Sequence, residues 1–184
     1  TGTLPANIPG SIASKLADTI AHIPLCIVGG QPETTKVHVA FDQSRGIRRG
    51  LEHMEPLLSR SLQEIFLCHI VRPLSVYQPA NATYFTQKNE AYWLDENSRK
   101  IIPAMVAVKQ LLIRAGFDQE KFRTAIMKEK TSRADSICKE ADAAGAGTII
   151  VGRRGTTTVD MFAMGRVTRK IYYMSTTDRA IWIV

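Results

Sequence analysis

The sequence predicts an α/β domain: a parallel sheet covered by helices on both faces. Two observations predict it. From residue 36 onward, strand-like apolar runs alternate regularly with stretches of helical periodicity, in the order β-α-β-α-β-α-β-α-β. The strand-like runs are also nearly continuous in apolar residues, as expected of strands buried on both sides. Right-handed crossovers between parallel neighbours make this a doubly wound sandwich. Ligands of such sheets sit at the carboxyl ends of the strands, where the strand order switches.

Each element has its own warrant. Val37-His38-Val39-Ala40-Phe41 reads as a buried strand that stops at Asp42. Ser44 then offers a helix N-cap, and Ile47, Leu51, Met54 and Leu58 recur at helical spacing. EIFLCHIV, residues 64–71, is a second apolar strand, followed by an irregular stretch over 72–86 that contains Pro73 and Pro79. A long helix is expected over 88–114, with Ile101, Met105, Val108 and Leu112 on one stripe. Pro103 lies inside it and predicts a kink or break near Lys100, and Gly116 is a natural stop. Residues 122–128 form a third, more polar strand, expected near an edge. Ser132 with Asp135 three residues on has the form of a capping box, ahead of a buried stripe of Ala134, Ile137, Cys138 and Ala141. TIIV at 148–151 is a short apolar strand ending at Gly152. Val167, Ile171 and Met174 mark the next helix, and residues 180–184 the final strand.

Residues 1–30 do not fit that unit. They hold a helix-like stretch (Ile12, Leu16, Ile20) and a strand-like one (25–28), before a linker at 31–35 and the domain at 36–184. Shifted by 155 residues, they fall on the end of the chain: Gly10 on Gly165, Ile12 on Val167, Lys15 on Lys170, Leu16 on Ile171, and Cys26-Ile27-Val28 on Ile181-Trp182-Ile183. The expectation is that 1–30 are the closing helix and strand of a preceding repeat. The opening at Thr1 rather than Met points the same way, to a longer chain that was cut or processed. An orphan strand needs a sheet edge. Residues 25–28 are therefore expected to pair with the final strand, antiparallel, within one chain or across a homodimer.

Composition excludes several classes. No run of 18 or more apolar residues occurs, so no membrane span is expected, and the first residues lack the basic start and apolar stretch of a signal peptide. Three scattered cysteines, Cys26, Cys68 and Cys138, without a CxxC, read as free thiols of a reducing cytoplasm. The net charge of +7 is spread out, thickening only at Arg153, Arg154, Arg166, Arg169 and Lys170. Without interleaved aromatics this argues against nucleic acid as the partner.

The chemistry concentrates in VGRRGTTTVDMFAMGRVT, residues 151–168. Gly152 and Gly155 follow a buried strand directly, and Gly165 opens a helix ten residues later. Glycines let backbone N–H groups approach an anion, and a helix N-terminus adds unpaired donors and partial positive charge. Arg153, Arg154 and Arg166 supply cations for phosphate. The alternative is that the glycines only turn the chain. No catalytic constellation accompanies them: Asp42 and Asp160 are single carboxylates, His69 ends a buried strand, and no metal-ligand cluster is spaced in the sequence.

This segment resembles the universal stress protein signature G-x2-G-x9-G-[ST], with Gly152, Gly155 and Gly165 at its spacing. Ala40-Phe41-Asp42-Gln43-Ser44 is similar to that family's first strand and D-x-S turn, and Cys68-His69-Ile70 to the end of its second strand. The resemblance covers 36–184, and the Gly10-Ser11 pair adds the tail of a second copy. It implies a five-stranded parallel sheet in the order 3-2-1-4-5, an adenine nucleotide alpha hydrolase-like fold, with one extra edge strand from the N-terminal segment. It also implies a stress-response module that binds ATP or another adenine nucleotide, with Mg2+ where ATP is the ligand, regulatory rather than catalytic or at most a slow ATPase. On that pattern Ala40 and Ile70 line the adenine and Asp42 faces the base or ribose. Gly152, Arg153 and Gly155 run along ribose and phosphates. Gly165, Arg166, Val167 and Thr168 hold the phosphate tail. One departure stands out: Arg166 replaces the family's Ser or Thr, while Gly10-Ser11 keeps it. The alternatives are a nucleotide-free module that acts through dimerisation or partner binding and, further off, an enzyme of the related nucleotidyl-transfer folds.

Overall fold

The computed structural model describes residues 10–32, 35–58, 63–77, 86–155, 164–175 and 178–184. Thirteen elements run in order: α1 (Ser11–Thr19), β1 (Leu25–Val28), β2 (Lys36–Ala40), α2 (Arg45–Leu58), β3 (Glu64–Val71), a 3-10 turn (Leu74–Tyr77), α3 (Gln87–Arg114), a second 3-10 turn (Gln119–Lys121), β4 (Phe122–Lys128), α4 (Arg133–Ala143), β5 (Thr148–Val151), α5 (Arg166–Ser175) and β6 (Ala180–Ile183). One six-stranded sheet has the order β1-β6-β5-β2-β3-β4. Strands β2 to β6 are mutually parallel, in the expected order of the five-stranded unit. β4 lies at one edge, in keeping with its more polar sequence.

β1 closes the other edge. It runs antiparallel to β6 in the same chain, with Leu25 opposite Ile183 and Val28 opposite Ala180. The pairing expected for residues 25–28 is thus observed within one chain. It fills backbone groups that β6 would otherwise expose.

The pleat sorts each strand between two cores. Val37 and Val39 of β2 and Phe41 just beyond it face one side, with Ile47 and Leu51 of α2 and Ile101, Met105, Val108 and Leu112 of α3. Ala40 faces the other, with Ile137, Cys138 and Ala141 of α4, Ile171 and Tyr172 of α5, and Ala17 of α1. Period-2 strands laid against period-3.6 helices produce this two-sided burial. Ser132 accepts from the Asp135 N–H at the start of α4, as the cap predicts. The Asp135 carboxylate accepts the Thr131 hydroxyl, which holds its pKa low.

Pro103 corrects one expectation. It neither kinks α3 into two elements nor ends it: the helix is continuous from Gln87 to Arg114. Pro103 is exposed, so the carbonyl that it deprives of a partner lies on the solvent side. The buried stripe on the opposite face pins both halves to the same sheet. The neighbouring Lys100 carbonyl accepts from Gln43 Nε2. No described helix is long and apolar enough to cross a membrane.

His38 sits on the α4–α5 side of β2, wholly buried, edge-on to Phe66. Neither ring nitrogen has a hydrogen-bond partner among the described residues. Burial, with help from the nearby Arg179 cation, lowers its pKa to about 4 from 6.5. The unfolded chain takes up this proton as pH falls below 6.5, while the folded chain refuses it until about 4. Stability therefore falls across that window, by on the order of 3 kcal/mol from this group. His38→Leu should flatten the acid limb of the melting temperature between pH 6.5 and 4. An unchanged limb in a folded variant would show that His38 is not its source.

Candidate functional site

In the order β4-β3-β2-β5-β6, the chain works outward from β2 to β4 and then returns to the other side of β2. The switch point lies between β2 and β5. Their carboxyl ends carry Asp42 and the Gly152–Gly155 turn, so the two sequence motifs meet where an α/β sheet binds ligands.

The β2 end is a fixed corner. Phe41 N–H donates to the Cys68 carbonyl at 2.8 Å, and its own carbonyl meets His69 Nδ1 at 2.7 Å. Burial lowers the His69 pKa, against the pull of the Phe41 bond. A neutral ring whose Nδ1–H donates to Phe41 satisfies this arrangement. Asp42 accepts the Ser44 N–H at 3.0 Å, and Ser44 Oγ accepts from Ile47 N–H to start α2. Gln43 between them takes φ of 65°.

The β5 end packs tightly against that corner. A Cβ on Gly155 would stand 3.4 Å from Asp42 Oδ2, and one on Gly152 3.2 Å from Ser44 Oγ. A Cβ on Gly165 would stand 3.3 Å from the Arg153 carbonyl and 3.9 Å from the Gly155 nitrogen. The three signature glycines and Asp42 are thereby brought together, packed so closely that a Cβ at Gly152 or Gly165 would press on Ser44 Oγ or on the Arg153 carbonyl. Ala40 and Ile70 are buried at the ends of β2 and β3. Residues 156–163, with Asp160, lie outside the described residues.

Three expected phosphate groups take other partners here. Arg153 is buried, and its Nη1 donates to the Ala17 carbonyl at 2.7 Å, near the end of α1. Its Nη2 has no partner among the described residues. The Thr168 hydroxyl is buried and donates to the Gly152 carbonyl at 2.6 Å, bracing α5 to the strand end. Gly165 N–H donates to the Arg153 carbonyl at 2.8 Å. Arg166 is exposed and Val167 half-buried at the start of α5. Arg166 shares a surface depression of about 550 Å³ with Arg169, Lys170, Tyr173 and Met174, on the outer face of α5 rather than over the glycines. The strand-end corner, not this basic depression, carries the convergent backbone. Sequence reading passed over the positive φ of Gln43 and the role of Ser44 against Gly152; the D-x-S spacing was the available signal for both.

One observation bears on an anion here: a Cβ at Gly155 would meet Asp42 Oδ2 at 3.4 Å and one at Gly165 the Arg153 carbonyl at 3.3 Å, so glycine at both positions lets the loop backbone lie close against the corner. The donors that α5 leaves for an anion are backbone N–H groups of its first turn. Among the described residues no group of three or more His, Cys, Asp or Glu gathers to hold a metal.

Fold and corner together define a doubly wound α/β protein with a glycine-rich corner at its switch point. The sequence model of the universal stress protein family matches residues 33–178, and the chain belongs to that family. The universal stress protein UspA from Lactobacillus plantarum is similar at 15% identity and a TM-score of 0.62, over 81% of this chain and 96% of that one. A universal stress protein in complex with cAMP is similar at 19% identity and 0.57, over 81% and 95%. A functionally unknown protein from Pseudomonas aeruginosa PAO1 is similar at 14% and 0.61, over 97% of this chain but 57% of that one. No curated protein matches the sequence.

The Thr168 brace is testable. Thr168→Val leaves the buried Gly152 carbonyl without its donor and should cost about 1–3 kcal/mol of stability. Chemical denaturation measures it. A loss under about 0.5 kcal/mol would show that the bond does not hold α5 in place.

Proposed function

We propose that this chain is a stress-response module of the cytoplasm that binds an adenine nucleotide at the β2–β5 switch point and acts by regulation rather than catalysis. The observation that carries this reading is the meeting of Asp42, Gly152, Gly155 and Gly165 at the carboxyl ends of β2 and β5, beside the N-terminus of α5. The family membership and the fold shared with a cAMP complex support it. In this reading Asp42 accepts from the ribose, Ala40 and Ile70 flank the base, and the first-turn N–H groups of α5 hold the phosphates. Thr168 and Arg153 shape the loop instead of touching phosphate, since both are turned inward. Arg166, exposed at the first turn of α5, supplies a cation that draws phosphate toward the site from the helix's outer face. Where ATP is the ligand, Mg2+ accompanies it.

Thermal shift with ATP, ADP and AMP tests the reading. At a hundredfold excess over Kd, binding adds about 2.7 kcal/mol. That corresponds to a rise of roughly 5–10 °C for a chain of this size. No shift with any of the three at millimolar concentration would leave the nucleotide-free alternative. Arg166→Ser should weaken binding roughly fivefold, as loss of one exposed cation. Tighter binding by that variant would show that Arg166 obstructs the phosphates.

A further inference from the structure

The basic residues that thicken near the end of the sequence divide in the structure. Arg153 turns inward to the Ala17 carbonyl. Arg166, Arg169 and Lys170 stand exposed on α5, where with Tyr173 and Met174 they line the depression of about 550 Å³. These five positions recur at i, i+3, i+4, i+7 and i+8, so they form one stripe along the outer side of the helix. The opposite stripe, Thr168, Ile171, Tyr172 and Ser175, is the buried one.

The core accounts for the buried stripe and not for the outer one. Tyr173 is 43% and Met174 40% exposed, and neither packs into a core cluster. Tyr173 meets buried Tyr172 edge-on, with ring centroids 5.3 Å apart, which holds its ring in place at the surface. The cations beside it are only partly compensated. Arg169 pairs with Asp18 of α1 at 2.8 Å. Lys170 Nζ donates to the Ser132 hydroxyl, a neutral partner, at 3.0 Å. Asp135 of α4, which feels the Lys170 charge, is already held by Lys139 at 3.0 Å. The first turn of α5 adds the positive end of its dipole at Arg166. The result is a concave surface that is cationic at one end and apolar at the other.

We propose that this depression is a docking site for an acidic segment of a partner protein, one that carries an aliphatic or aromatic side chain beside its carboxylates. The carboxylates meet Arg166, Arg169 and Lys170, and the apolar side chain lies on Tyr173 and Met174. Arg166 to Met174 covers about 12 Å of helix, the length of about four extended residues. Charge complementarity selects this occupant. A bilayer fits less well, because the apolar stripe of α5 is turned to the core, and Tyr173 and Met174 line a concavity instead of projecting from a flat face. Single-stranded nucleic acid stacks on successive aromatic side chains, and Tyr173 is the one exposed ring in the depression. The proposal is independent of the nucleotide reading, since the depression lies on the outer face of α5 and not over the glycine corner.

A display library of random dodecapeptides, selected on the 184-residue chain without nucleotide, tests it. Selected peptides should be rich in Asp and Glu, with an aromatic or aliphatic residue within a few positions. One of them, resynthesised and labelled, should bind about tenfold more weakly to Lys170→Glu and about fivefold more weakly to Tyr173→Ser. Both residues are exposed, so each variant should keep its melting temperature within about 2 °C. Arg123→Glu makes the same charge change on β4, at the far edge of the sheet, and should leave Kd within about twofold. Selected peptides without acidic residues, binding that survives Lys170→Glu, or an equal loss in Arg123→Glu would overturn the proposal. So would the absence of any selected peptide alongside binding to phosphatidylserine vesicles or to a single-stranded oligonucleotide that Lys170→Glu abolishes.

Discussion

Where β5 ends, three consecutive carbonyls find three different partners. Val184 N–H takes that of Val151 at 3.0 Å, the Thr168 hydroxyl takes that of Gly152, and Gly165 N–H takes that of Arg153. A buried carbonyl left unpaired costs more than a bond contributes, so this closure is close to obligatory. It sets the first turn of α5 directly over the strand ends. From there α5 can bury Ile171 and Tyr172, and β6 is delivered beside β5. Glycine at 152 and 165 is the condition for it, because a Cβ at either would press on Ser44 or on the Arg153 carbonyl.

That closure also decides which groups remain for a ligand. The hydroxyl and the guanidinium that sequence alone assigns to phosphate, those of Thr168 and Arg153, are drawn inward to satisfy the protein's own carbonyls. The corner is left with what cannot turn away: backbone N–H groups and the Asp42 carboxylate, with Arg166 on the outer face of α5. A site built from backbone is tolerant of sequence. Structures at 15–19% identity share this fold, and only the fold carries over at that distance.

The strands and the glycine corner were legible in the sequence because each rests on a local pattern, whereas the strand order came from the family resemblance. Continuous apolar runs named β2, β3 and β5, and the polar character of β4 placed it at an edge. The offset of 155 residues named the partner of β1. What was not legible depends on contacts distant in sequence. Arg153 meets Ala17 across 136 residues, and no spacing rule reaches that far. The Pro103 break failed because helix propensity was outweighed by the buried stripe from Ile101 to Leu112. His38 read as one more strand residue; its isolation between two sheet neighbours appears only in three dimensions.

The proposed nucleotide site is tested most directly by glycine-selective amide NMR during titration with ADP. Resonances of Gly152, Gly155 and Gly165 should move together, while those of Gly10, Gly116 and Gly145, all remote from the switch point, stay in place. Three stationary signature glycines at millimolar ADP would contradict a nucleotide site at the end of β5.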